Sequence, residues 1–210
     1  MLLCFIDIIT IFLMEITWHG GNAIRLSDGK VTLMVDPDLA EKKISDPEKI
    51  DFAVSTRAEH AIVSKEKKVF DWPGEYEIKG ASFVVLESEG IGSPLGYRFM
   101  FPDSTVVAVI GRLNGYPTDA FVEQLGDVHV LVLDLGSDAK GSEYSPKEAY
   151  RLVEAVEPAV VIPVGWKDGS GAFSAFLKEV DVPMPEVQKK FSFKKASLNK
   201  EALELVVLQN

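Results

Sequence analysis

Two short runs constrain this chain more than anything else in it. Residues 128–133 read Val-His-Val-Leu-Val-Leu, and residues 160–164 read Val-Val-Ile-Pro-Val. A strand with one wet face alternates apolar and polar side chains, whereas a continuous apolar run belongs to a strand covered on both faces. Between the two runs, residues 145–156 open with Ser145-Pro146 and carry Glu148 three positions after Ser145. That pattern is a capping box, in which serine caps the helix and the glutamate reaches back to it. The two apolar strands are therefore expected at the centre of a sheet, with helices outside them.

The first half of the chain has a different rhythm. Short strand-like runs at 15–18, 23–26 and 31–35 are separated by Gly20-Gly21-Asn22 and by Asp28-Gly29. Asp-Gly between alternating runs signals a hairpin. The third run ends in Asp36-Pro37. Proline cannot donate to a ladder, so the strand stops there and carries the Asp36 carboxylate just past its end. Further strands are expected at 51–55, 67–70, 75–78, 81–86, 97–101 and 105–110, with residues 90–96 as a glycine-rich loop. Helices are expected at 117–125, with Pro117 in its first turn, and at 172–179. Residues 186–193 and 203–208 read as closing strands. His129 alternates with apolar neighbours and reads as a core histidine that finds a hydrogen bond.

With 210 residues, 47% of them hydrophobic and 26% charged, the chain can bury a substantial core. Its formal net charge of −10 argues against nucleic-acid and anionic-membrane partners. The one cysteine, Cys4, excludes an intrachain disulfide and a cysteine-based zinc site, and fits a cytoplasmic protein. Residues 1–13 are apolar but too short to span a bilayer. They read as an N-terminal extension, either packed on the domain or lying upstream of a natural start at Met14. Residues 14–210 read as one domain.

The stretch most suggestive of chemistry is 51–62, where the apolar run Phe52-Ala53-Val54 delivers a charged loop. Strand-end loops are where function concentrates. The order of several stretches then carries a resemblance. They are Ile16-Thr17-Trp18-His19-Gly20, Val35-Asp36-Pro37, residues 51–56, Pro73-Gly74-Glu75-Tyr76-Glu77-Ile78, Val109-Ile110-Gly111, Leu125-Gly126-Asp127-Val128, and Val160-Val161-Ile162-Pro163-Val164. In that order and spacing the chain resembles the metallo-β-lactamase fold superfamily, and within it the metal-dependent hydrolases related to ascorbate-6-phosphate lactonase. The resemblance implies an α+β fold, a four-layer αββα sandwich, and a family cofactor of zinc, manganese or iron.

The family's ligands do not carry over. Its H-x-H-x-D-H loop falls on Arg57, Glu59, Ala61 and Ile62, its bridging aspartate on Arg112, and its last histidine on Gly165. His60 stands one position out of register, and the chain has only three histidines. No cofactor is therefore expected. The candidate pocket at the former metal site comprises Asp36, Arg57, Glu59, His60, Arg112, Gly165 and Trp166, with His19 near the first turn. In it, Arg112 is expected to pair with Asp36 or Glu59, and Trp166 and His19 to offer a stacking wall and a donor. The leading expectation is a structural or binding module without catalysis. One alternative is a hydrolase with an altered site acting on a phosphorylated or acidic small molecule. Another is a small-anion sensor using Arg57 and Arg112. A small anionic ligand and a homo-oligomer are the partner expectations.

Overall fold

The computed structural model of the chain describes residues 13–37, 49–56, 69–70, 74–88, 92–113, 115–136, 145–167 and 171–210. The expected extension therefore lies outside the described residues except for Leu13, which is exposed. The first half supplies β1 (Met14–Trp18), β2 (Ile24–Ser27), β3 (Thr32–Val35), β4 (Phe52–Val54) and β5 (Val69–Phe70). It continues with β6 (Glu75–Ile78), β7 (Ala81–Ser88), β8 (Gly92–Met100) and β9 (Val106–Ile110). Helices then alternate with strands: α1 (Asp119–Leu125), β10 (Val130–Asp134), α2 (Pro146–Val156), β11 (Val160–Val164) and α3 (Gly171–Val180). The chain closes with β12 (Val187–Gln188), β13 (Phe191–Phe193), β14 (Glu204–Leu205) and β15 (Val207–Leu208).

Two sheets face each other. One has six strands in the order β13-β1-β2-β3-β4-β5, the other seven in the order β14-β11-β10-β9-β8-β7-β6. Ile16, Leu33 and Phe52 of the first sheet meet Phe83, Phe99 and Val132 of the second in the inner core. A second core packs Leu131 and Val161 against Phe121 of α1, Leu152 of α2 and Phe176 of α3. Strand β10 thus sends Val130 and Val132 inward and Leu131 and Leu133 outward, which is why it is apolar throughout. The outer face of the first sheet carries a small cluster of Ala23, Met34 and Ile50. This is the α+β sandwich the sequence implies. All three described helices lie against the second sheet.

The capping box forms as expected: Glu148 N–H donates to Ser145 Oγ at 3.2 Å, and Ser145 N–H donates to Glu148 Oε2 at 2.7 Å. His129 is buried, and its Nδ1 accepts the Val106 N–H at 3.2 Å. Three expectations need correction. Gly92–Gly96 is the start of β8 and not a loop, paired with β7 and β9. A side chain at Gly96 would bring its Cβ within 2.5 Å of Val109 O, so the glycine serves close strand packing. Helix α1 starts at Asp119, with Thr118 as its cap accepting from Phe121 N–H; Pro117 precedes the helix. Each closing run splits, because Val187–Gln188 pairs with Val207–Leu208 whereas Phe191–Phe193 pairs with β1.

Candidate functional site

Parallel pairing aims several strands the same way. β3, β4 and β5 are parallel in the first sheet, and β9, β10 and β11 in the second. Their C-terminal ends meet at one edge of the sandwich, where the β1–β2 turn also lies. Polar residues and glycines gather at these strand ends: Asp36, Ser55, Thr56, Gly111, Arg112, Asp134, Gly136 and Gly165.

Asp36 is fully buried, with a left-handed backbone (φ 47°) that turns the chain sharply after β3. Its Oδ1 accepts the Thr56 N–H at 2.7 Å and the Ser55 hydroxyl at 3.1 Å, and its Oδ2 accepts the Thr56 hydroxyl at 2.5 Å. Thr56 in turn presses on the second sheet. A Cβ at Gly111 would lie 2.5 Å from Thr56 Oγ1. From β8, the Tyr97 hydroxyl reaches across to Ser55 O at 2.6 Å and Phe70 O at 2.9 Å, sharing its single proton between them.

A second buried carboxylate closes the other half of the edge. Asp134 Oδ2 accepts Asn22 Nδ2 at 2.5 Å, and its Oδ1 accepts the Gly136 N–H at 2.7 Å. Both groups press on Gly165. A Cβ there would lie 1.9 Å from Asp134 Oδ1 and 2.7 Å from Asn22 Oδ1, and the backbone φ of 70° favours glycine. The Gly165 N–H donates to Gly21 O at 3.0 Å, tying the end of β11 to the β1–β2 turn.

The expected pairing of Arg112 with Asp36 does not occur. Arg112 is half-buried, and its Nε and Nη2 are buried without a hydrogen-bond partner among the described residues. Asp36 is held by hydroxyl and amide donors of β4 instead, because Ser55 and Thr56 follow that strand directly and lie nearer in register. The Arg112 guanidinium rests beside Gly136, where a Cβ would be 3.2 Å from Nη2 and 3.5 Å from Nε.

His19 and Trp166 also fall elsewhere. The His19 ring bonds Thr17 Oγ1 at 3.2 Å, on the side of β1 opposite the core residues Ile16 and Trp18. Burial, and next the charge of Arg25, hold its pKa below the usual histidine value. Trp166 stacks on Phe173 with centroids 4.3 Å apart, packs at 5.3 Å from Trp18, and donates its indole N–H to Pro163 O. Its role is packing between α3 and the sheets. Arg57, Glu59 and His60 lie outside the described residues. Among the described residues, no three His, Cys, Asp or Glu side chains converge in a metal-ligand cluster.

Sequence reasoning missed Asp134, Asn22, Thr56 and Gly136. One signal was available: Asp134 closes an apolar strand just as Asp36 closes β3. An acid at the end of a buried strand is costly unless it is hydrogen-bonded, so both mark places where donors gather.

A two-sheet sandwich with helices against one sheet, and with strand ends from both sheets meeting at one edge, defines a class of proteins by its fold. Within that class, residues 15–165 match the family model of the beta-lactamase superfamily domain, and the chain belongs to that family. No curated protein matches the sequence. Among solved structures, a metallo-β-lactamase superfamily protein from Thermotoga maritima is 22% identical with a TM-score of 0.72, over 94% of this chain and 100% of that one. Igni18 of Ignicoccus hospitalis is 17% identical with a TM-score of 0.65, over 87% and 99% of the two chains. The metallo-β-lactamase fold protein YhfI of Bacillus subtilis is 11% identical with a TM-score of 0.64, over 94% and 97%. At these identities the likeness is one of fold.

Proposed function

We propose that this chain is a non-catalytic binding module of the metallo-β-lactamase fold, in which a network of buried hydrogen bonds stands where the family holds metal. The observation that carries this reading is the contact of Asp134 with Gly165. The resemblance assigns the family's last histidine to Gly165, yet Asp134 Oδ1 lies 1.9 Å from where any Cβ would stand. No side chain fits there without expelling a carboxylate that is bonded to Asn22 and Gly136.

The family's metal does not fit the described residues in other respects. The bridging position is Arg112, and a guanidinium repels a cation and cannot ligate one. The two buried carboxylates, Asp36 and Asp134, spend acceptor capacity on amide, amido and hydroxyl donors. Igni18 is named a metallo hydrolase, and an altered-site hydrolase is the enzymatic alternative, but that likeness is one of fold.

The test is elemental analysis of the full chain purified without a metal-affinity tag, with melting curves run with chelator and with added zinc or manganese. The expected result is far less than one zinc, manganese or iron per chain and a melting temperature that neither treatment moves. About one tightly held metal per chain, whose removal lowers the melting temperature, overturns the reading.

A further inference from the structure

We propose that Arg112 anchors a binding site for a small oxyanion, a carboxylate or a phosphate, at the edge where the two sheets meet. The inference rests on the reading above, because a metal centre at this edge would leave a guanidinium no reason to face it.

The two unfilled donors are not an arbitrary pair. Nε–H and one Nη2–H leave the same edge of the planar guanidinium in parallel, the arrangement that grips two oxygens of one carboxylate or phosphate. Both nitrogens are buried, and among the described residues neither has an acceptor. Buried charged donors normally find partners, since leaving one unmet costs more than any neutral bond recovers. The protein does not lack acceptors nearby. Asp36 and Asp134 follow strands that end at the same edge, yet the bonds seen for them go to Ser55 and Thr56 and to Asn22 and Gly136. The fork is thus unmatched while the bonds seen for these acids go to other donors.

Gly136 lies against the same edge of the group. A Cβ at Gly136 would lie 3.2 Å from Nη2, 3.5 Å from Nε and 3.7 Å from Cζ. It would thus crowd the edge bearing the two open donors more than the centre of the group. Glycine there, with a backbone φ of 67°, keeps a side chain off that edge. A water molecule offers one oxygen and no charge, so it fills half of the fork. An oxyanion offers two oxygens at matching spacing and neutralises the guanidinium.

The probes are inorganic phosphate and acetate, each against chloride at equal ionic strength, on the full chain. Melting temperature and the Arg112 Nε–H resonance are the readouts. Phosphate, acetate or both are expected to raise the melting temperature in a saturable way and to shift that resonance downfield. Whichever of the two acts at lower concentration identifies the natural class. Arg112→Gln is expected to abolish both responses. Arg112→Lys keeps the charge without the fork, and is expected to bind about tenfold more weakly, the loss of one charge-assisted bond. If Arg112→Gln fails to fold, the wild-type resonance and the lysine variant decide alone. The proposal is overturned if neither anion moves the wild-type resonance, or if Arg112→Lys responds like wild type. A metal-free protein that ignores both anions sinks this site and leaves the non-catalytic reading standing, whereas a metal-loaded protein sinks that reading.

Discussion

Gly165→Ala is the sharpest perturbation this structure offers. The substitution has two costs. The residue sits at φ 70°, where an L side chain is strained by about 1–2 kcal/mol. Its new Cβ would also overlap Asp134 Oδ1 at 1.9 Å and crowd Asn22 Oδ1 at 2.7 Å. The carboxylate must then move, and losing one of its bonds, to Asn22 Nδ2 or to Gly136 N–H, costs about 1.5–3 kcal/mol. Together the loss is about 3–5 kcal/mol, a large part of the stability of a typical domain. In a chain of this size it lowers the melting temperature by about 10 °C. Gly29→Ala is the control, since Gly29 has a positive φ of 86° but nothing within 4 Å of its would-be Cβ. That variant carries the strain without the collision. Urea unfolding of both, with the Gly165→Ala/Asp134→Ala double variant to test coupling, separates the terms. If Gly165→Ala is no worse than Gly29→Ala, the carboxylate does not press on Gly165 and the site is not rebuilt around it.

Two further outcomes follow from the same structure. Burial first, and then Lys195 and Lys200, hold the His129 pKa below its ordinary value, and burial and Arg25 do the same for His19. The unfolded chain therefore binds more protons than the folded one just below about pH 6.5, so stability is full above that pH and falls as the pH drops through the folded-state values. Unfolding free energies between about pH 5.5 and 7.5 should rise with pH, and His129→Asn should flatten the slope; an unchanged slope in a variant lacking both histidines refutes the assignment. A chain beginning at Met14 should stay soluble and melt within about 2 °C of the full chain, because β1 starts at the buried Met14, which pairs with Phe193, while Leu13 is exposed. Aggregation of the shorter chain, or a much lower melting temperature, would mean that residues 1–12 complete the core.

Local chemistry was enough to reveal much of this protein. The double-sided strands at 128–133 and 160–164, the capped helix between them and the stop at Asp36-Pro37 each follow from side-chain pattern and backbone limits within a few residues. The order of such pieces was enough to indicate the family. The residues that build the site's edge were less legible. Asp36 and Arg112 stood out by position, but their partners are set by which strand ends lie side by side. Asn22 and Asp134 are 112 residues apart in sequence and bonded in space. Gly136 and Gly165 look like ordinary turn glycines until a guanidinium and a carboxylate are found against them. The tertiary structure likewise turned Gly92–Gly96 from loop to strand, because β7 pairs with Gly92 and Gly96 and β9 joins at Gly96. Periodicity records which face of an element is buried. It carries no record of what arrives at that face from a distant part of the chain, and in this protein those arrivals decide both where Asp36 finds its donors and why Arg112 finds no acceptor among the described residues.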